Sequence, residues 1–454
     1  MRTGDKGEQA DLSIQWSDAA ELSVRQGDVE KLRELLRGEE YGVDATQTDA
    51  DVSKDLHPAA LETLLAELSP IHTACVEGHR EMVRFILAEV ARCRVQMYDK
   101  GGTTALHTCA RFGRLEIAKD LLGCGAIVHS HDRGGCTPLH VACEHDNGEV
   151  ARLLLNAGAD VNKRDNNGCA PLFTSVRAGG SPAMLHLLLE RGAEVDGAPY
   201  GEPTALALAS GMGCLMTVRL LASAGADLLA VASNVGGETA LHLAAHNGSE
   251  SVLCFLLAAG CWVETKDADG RTPLASACAG GRTGTAKVLL TGQGWCLDQV
   301  PQDFPPDLRR HVLSFLVAAP NTTDYSGSTP LLAACEHRGT LAVLDLLAAH
   351  DADFALTNKL GETPLHVACR RGNAGIANFL LGREMLPSSS VTGAAGQTSS
   401  AHFNCCSASI DAKDLRGRRP GEVRDIDVSH DEALAVREVV GRESVCPEED
   451  SHHV

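Results

Sequence analysis

The sequence predicts an all-α chain that stacks one helix-turn-helix unit about ten times, with hairpin-like turns between units, two inserts and a Ser-rich loop near the C-terminus. Three observations predict it. A short phrase recurs at an almost fixed interval, helix-capping residues recur with it, and aromatic residues make up only 4% of the 454 residues. Thin layers of Ala, Leu and Gly suit that composition better than one thick core, which a chain of this length would outgrow.

The phrase occurs as Thr103-Thr104-Ala105-Leu106-His107, Cys136-Thr137-Pro138-Leu139-His140, Glu238-Thr239-Ala240-Leu241-His242 and Glu362-Thr363-Pro364-Leu365-His366. With the threonine or its equivalent as the mark, the steps Thr104, Thr137, Ala170, Thr204, Thr239 and Thr272 measure 33, 33, 34, 35 and 33 positions. The step from Thr272 to Thr329 is 57, or 33 plus 24, and the step from Thr329 to Thr363 is 34. Threonine can cap an orphaned helix amide, and the proline after it has a preset φ and no amide to leave unpaired. About nine residues on, Gly78, Gly113, Gly179, Gly213, Gly248, Gly281 or Gly372 can take the left-handed conformation that ends a short first helix.

A second helix follows. Ile117, Ala118, Leu121 and Leu122, or Val150, Leu153 and Leu154, fall at the spacing that makes one buried stripe. It closes on Gly125, Gly158, Gly192 or Gly225. Asp132-Arg133-Gly134-Gly135, Asp165-Asn166-Asn167-Gly168 and Asp267-Ala268-Asp269-Gly270 are turn chemistry and predict a projecting hairpin.

Phrase, helix pair and turn together resemble the ankyrin repeat over roughly residues 69–382, with weaker copies at both ends. The expected organisation is a polar tail at 1–15 and a degenerate first repeat plus acidic insert at 16–68, the insert carrying a helix at Ala59–Leu68. Repeats follow at 69–292 and 325–382, separated by an insert or decayed half repeat at 293–324 with an amphipathic helix at Asp307–Ala318. A flexible Ser/Ala/Gly-rich loop is expected at 383–409. A degenerate capping repeat at 410–442, with its helix around Glu432–Val440, and a tail at 443–454 complete the chain.

Charge and motifs narrow the function. The net charge of −20 repels phosphate backbones, and no basic stripe offsets it, so a nucleic-acid partner is not expected. Residues 1–70 hold 16 acidic against 7 basic side chains, which suits a basic partner there. Apolar runs such as Val252–Val263 are too short to span a bilayer, and no secretory signal stands at Met1–Ala10; a monomer in the cytoplasm or nucleus is expected. Cys75, Cys143, Cys278, Cys335 and Cys369 lie six after the mark and Cys109 five after, the place Ala245 fills elsewhere, which predicts a small buried slot. Cys405, Cys406 and His402 offer three candidate metal ligands without a fourth. No phosphate loop, zincin pattern or nucleophile elbow occurs, so neither enzyme activity nor a cofactor is expected.

His72, His107, His140, His242 and His366 recur at one motif position. The resemblance implies a structural hydrogen-bonding histidine there, and implies weaker local stability where Phe173, Ala207, Ala275 or Leu332 replaces it. It also implies that protein partners bind along a groove made by the hairpin tips and the exposed face of the first helices. That selects Arg111, Phe112, Glu144, His145, Arg177, Met212, His246, Asn247, Glu336, His337, Arg370 and Arg371 beside the helix-one glycine, and Arg133, Asn166, Asp269, Arg271, Tyr325 and Lys359 at the tips. Arg370-Arg371, against the acidic background, suggests an acidic peptide. The expected function is a non-catalytic protein-binding scaffold or adaptor, with the substrate-receptor subunit of a ubiquitin ligase as the alternative.

Overall fold

The computed structural model describes residues 18–37, 70–89, 97–99, 101–199, 201–231, 236–292, 317–336, 341–384 and 418. The described residues are helical with no strand, and a lone bridge pairs Tyr98 with Thr104. Contacts divide the chain into two units, Met1–Tyr200 and Gly201–Val454.

Each unit is a stack of helix pairs. In the first, a helix at 18–26 with Val29–Arg37 precedes Pro70–Glu77 with Arg80–Glu89, Ala105–Phe112 with Leu115–Gly123, Pro138–Glu144 with Gly148–Asn156, and Pro171–Arg177 with Pro182–Glu190. In the second, the pairs are Ala205–Met212 with Leu215–Ser223, Ala240–Asn247 with Glu250–Ala258, Pro273–Ala279 with Thr283–Thr291, Pro330–Glu336 with Leu341–Ala348, and Pro364–Arg370 with Ala374–Glu384. First helices pack on first helices and second on second, so each layer covers apolar surface that its neighbour cannot hide alone. Leu106, Leu139, Leu241, Leu274, Leu331 and Leu365, each two after its mark, are all buried.

Capping goes beyond the simple threonine expectation where the motif histidine is present. Thr104, Thr137 and Thr239 turn both amide and hydroxyl toward the ring Nδ1 of His107, His140 and His242, with hydroxyl distances of 2.8, 2.9 and 2.8 Å. Where alanine or leucine replaces histidine, the hydroxyl caps as expected: Thr204, Thr272 and Thr329 accept from the amides of Ala207, Ala275 and Leu332 at 3.2, 3.3 and 3.3 Å. Thr363 does both. The layer marked by Ala170 has neither device and instead buries Phe173.

The glycines expected to end the first and second helices have positive φ, among them Gly113 at 66° and Gly158 at 91°. Two aspartates take up the same left-handed corners. Asp146 (φ 55°) stands where the layer of Thr137 lacks the helix-one glycine, and Asp351 (φ 60°) replaces the glycine after a second helix. Asp146 has a compensating role, since its carboxylate accepts the Ser181 amide at 3.0 Å and hydroxyl at 2.8 Å from the next layer.

Layers remain in register across the inserted sequence. His79 donates from Nε2 to the Arg25 carbonyl at 2.8 Å, and Arg33 lies 5.0 Å from the Phe85 ring centroid, so the first helix pair packs on the second across residues 38–69. Likewise the Tyr325 amide donates to the Asp269 carbonyl at 2.9 Å across the 57-residue step. Two boundaries need correction. Val317 and Ala318 do not continue the helix expected at Asp307–Ala318; the Ala318 amide donates to the Leu289 carbonyl at 2.8 Å. The helix Ala374–Glu384 also runs past the expected start of the Ser-rich loop at 383. The remainder of that expected helix, the helices expected at Ala59–Leu68 and Glu432–Val440, and the Cys405, Cys406 and His402 group lie outside the described residues.

The cysteine slot is buried as expected: Cys75, Cys109, Cys143, Cys278, Cys335 and Cys369 all sit in the core. Burial raises the thiol of Cys369 to about 12 and those of Cys143, Cys278 and Cys335 further, so thiolate, the reactive form, is withheld. Among the described cysteines, native-state alkylation with peptide mapping should therefore modify exposed Cys124 first. It should leave the six slot thiols untouched until the chain is unfolded, and early modification of Cys143 or Cys278 would contradict the packing.

Candidate protein-binding face

The site is built on two rows of exposed residues carried by a repeated hydrogen-bonded frame. In six of the described hairpins an aspartate or asparagine five before the mark organises the turn, whereas the layer of Thr204 has Pro199 there. Asp132 Oδ1 accepts the amides of Gly134 and Cys136 at 2.8 Å each, and Asp165 does the same for Asn167 and Cys169 at 2.9 and 2.8 Å. Asp99, Asp267, Asp324 and Asn358 repeat the arrangement. Successive tips are then linked by backbone. Asn166 donates its amide to the Gly134 carbonyl at 3.0 Å, Ala268 to Gly236 at 2.8 Å and Lys359 to Ser326 at 2.9 Å. A Cβ on Gly135 would lie 2.8 Å from the Asn166 nitrogen, so close approach, besides its φ of 79°, requires glycine.

The motif histidines tie each hairpin to the layer before it. Nε2 of His72, His107, His140 and His242 lies 3.0 Å from the carbonyl of Thr103, Cys136, Cys169 and Arg271, respectively. A carbonyl can only accept, so Nε2 carries the proton; in His107, His140 and His242 Nδ1 also receives the threonine amide, so these three rings are the neutral Nε2–H form. Burial holds the pKa of these four rings below its ordinary value, outweighing the carbonyl bond that favours charge. His366 makes the same contact with the Arg418 carbonyl at 3.1 Å, 52 positions on instead of the 29 that separate His107 from Cys136.

A third ladder was not anticipated from sequence. Ten residues after the mark, just past the helix-one glycine, a polar side chain reaches back to the carbonyls ending the previous first helix. Arg114 donates to Val76 at 2.6 Å, Asn147 to Ala110 at 2.7 Å, Arg282 to His246 at 3.2 Å and Asn373 to Cys335 at 3.3 Å. These bonds satisfy orphan carbonyls at a helix end. The signal was present as a donor-bearing residue recurring at one offset.

On this frame, the residues seven and eight after the mark face outward. Arg111, Phe112, Glu144, His145, Arg177, Met212, Asn247 and Arg371 are exposed and His246, Glu336 and Arg370 half-buried; His337 lies outside the described residues. The layer of Thr272 has only Ala279 and Gly280 at these places. At the tips, Arg133, Asn166, Asp269, Tyr325 and Lys359 are exposed and Arg271 half-buried. Sequence reasoning passed over two further apolar residues at the hairpins, Tyr98 and Leu360, which are 55% and 47% exposed.

The arginines separate by environment. Arg370 is committed within the chain, 3.2 Å from Glu336 and 3.5 Å from Glu362, and Arg371 is 3.8 Å from Glu336. Arg271 pairs with Asp269 and lies 3.7 Å from Asp267. On the first unit, Arg111 donates instead to His145 Nε2 at 3.2 Å and Arg177 to Cys169 Sγ at 3.8 Å, neither of them a carboxylate. Among the described residues no cluster fit to hold a metal ion is found, and no helix is long and apolar enough to cross a membrane.

Comparison with known proteins gives the following. A family model described as ankyrin repeats (3 copies) matches residues 19–132, 119–199, 206–299 and 308–388. Over 227 residues, 50% of the chain, the sequence is 28% identical to the Transient receptor potential cation channel subfamily A member 1 homolog of Caenorhabditis elegans, covering 18% of that protein. Over 148 residues, 33% of the chain, it is 28% identical to the Tyrosine-protein kinase HTK16 of Hydra vulgaris, covering 16% of it. The chain thus spans less than a fifth of either relative. Among solved structures, the ankyrin repeat domain of Bcl-3, a unique member of the IkappaB protein family, matches 46% of this chain and 93% of its own at 29% identity, with a TM-score of 0.42. The human ASB11 ankyrin repeat domain matches 54% of this chain and 98% of its own at 23% identity, with a TM-score of 0.44.

Proposed function

Because the chain belongs to the ankyrin-repeat family, we propose that it is a non-catalytic scaffold or adaptor that holds a protein or peptide along the first-helix and hairpin-tip residues of its units. Ankyrin repeats are generally protein–protein interaction modules. One observation carries the finer reading. Frame positions repeat the same chemistry and are buried, whereas the two positions seven and eight after each mark are outward-facing and differ from layer to layer: Arg111-Phe112, Glu144-His145, Met212, His246-Asn247, Glu336, Arg370-Arg371. A frame needs uniform residues; a surface that distinguishes ligands needs varied ones. Phe112, Met212 and Tyr325 supply contact area and the arginines directional bonds, the combination that dominates binding energy at interfaces. The buried free thiols suit a reducing compartment, the cytoplasm or nucleus.

The test is affinity purification of the full chain against two variants. Phe112→Ala with His145→Ala, Met212→Ala and Arg371→Glu alters the face, while Arg152→Glu with Lys287→Glu alters exposed second-helix positions. Partners recovered with wild type should fall by about tenfold on the face variant, the loss of a hot spot or two, and persist on the second-helix variant. Equal recovery on both variants, with both folded by circular dichroism, would refute the reading.

A further inference from the structure

Resting on that reading, we infer that the first unit binds an extended acidic segment of a partner protein, through Arg111, Arg133 and Arg177. The argument begins with ion pairing elsewhere. In the same unit, Arg80 and Arg84 lie 2.6 and 3.0 Å from Asp120, and Arg164 lies 3.3 Å from Glu194. In the second unit, Arg370 has Glu336 and Glu362. Among the described residues, Arg111, Arg133 and Arg177 have no carboxylate within ion-pair distance; their acceptors are an imidazole, none, and a thiol. The nearby hairpin carboxylates of Asp132 and Asp165 each turn one oxygen to two backbone amides. Opposing charge between the layers of Arg111 and Arg177 comes from the exposed carboxylate of Glu144 and from that of Asp146, which already accepts from Ser181.

That order specifies a ligand. Guanidinium groups bind carboxylates through two parallel N–H bonds, and the pairing strengthens as a ligand excludes water. Arg111 and Arg177 occupy equivalent places two layers apart, about 16–20 Å at the usual 8–10 Å between packed helices. An extended chain advances about 3.3 Å per residue, so the two arginines would engage acidic residues about five or six apart. The residue between them faces Glu144 and His145 and should be neutral or basic. Phe112, 46% exposed beside Arg111, and Tyr98, 55% exposed, offer apolar contact next to the first acidic residue. This places the acidic-peptide site on the first unit instead of at Arg370-Arg371, whose charge Glu336 and Glu362 already meet.

The experiment is selection of random dodecapeptides on the immobilised full chain, followed by fluorescence titration of the winners against Arg111→Glu/Arg177→Glu, Arg111→Gln/Arg177→Gln and the control Arg152→Glu. Enriched peptides should carry two acidic residues five or six apart. They should bind each double variant at least about tenfold more weakly and the control within about twofold, the pattern of a lost charge-assisted anchor. Enriched peptides without acidic bias, or indifferent to both double variants, would overturn this inference while leaving the peptide-binding reading in place. Failure to enrich any peptide would overturn both. A twelve-nucleotide DNA that displaced the peptides as well as they displace one another would reduce the site to a general anion patch and overturn the assignment to protein.

Discussion

Lowering the pH from about 7.5 to about 5.5, across the ordinary histidine range, is expected to destabilise the first unit, because His72, His107 and His140 are buried rings whose charged form burial disfavours, and His107 and His140 also accept a threonine amide at Nδ1. Their folded pKa values are depressed by burial, so the folded unit binds fewer protons than the unfolded chain below about pH 6.5. Stability is therefore fully present above that pH and falls as the pH descends toward the depressed folded values. Each ring contributes at most about 1.4 kcal/mol per pH unit within that window, the limit reached only where the folded ring stays wholly uncharged. Protonation would also place a donor at Nδ1, opposite the threonine amide that now donates to it. The carboxylate side is separate: Asp120, held near 2 chiefly by its hydrogen bond from Arg80, titrates far below this range. Hydrogen exchange read by mass spectrometry, which resolves the units within one chain, should show the amides of the layers marked by Thr104 and Thr137 losing protection over this interval. Unchanged protection there would show that the rings do not carry this load.

Gly280→Ala is the substitution with the largest expected cost. Gly280 has an ordinary φ of −75°, so no backbone preference requires glycine. Its added methyl would sit far inside contact distance of the His246 backbone carbonyl oxygen, which cannot swing away like a side-chain end. The layers of Thr239 and Thr272 would have to part, and overpacking of this kind costs about 3 kcal/mol. Gly260→Ala is the comparison. There φ is 100° and nothing lies near the new methyl, so only left-handed strain of about 1 kcal/mol is incurred. Urea unfolding of both variants should place Gly280→Ala well below Gly260→Ala. The reverse order would mean that the two layers are not closely apposed at Gly280.

The two glycines show how far the sequence could be read. Gly78, Gly113, Gly213 and Gly248 were legible as helix stops because a left-handed corner leaves a local trace, a glycine at a fixed offset from a threonine. Gly280 was not, since what it avoids is an atom 34 positions earlier. The same division separates Thr204, which caps as a threonine ordinarily does, from Thr104, whose hydroxyl goes to the ring of His107 while that ring holds Cys136 in the next hairpin. On the candidate face, Phe112, Met212 and Tyr325 could be placed by counting from the mark. Arg370 and Arg111 looked alike until their neighbours were known.

By itself the sequence determined the helix pairs, their capping glycines, the buried cysteine slot and the row of outward positions, because helix periodicity, φ preference and side-chain size act within a few residues. Only the tertiary structure decided that layers stay in register across the long steps, that Arg114, Asn147, Arg282 and Asn373, ten after their marks, cap the preceding layer, and which arginines already have carboxylates. Those outcomes depend on distances between residues roughly thirty to sixty apart, fixed only when one layer settles on the next.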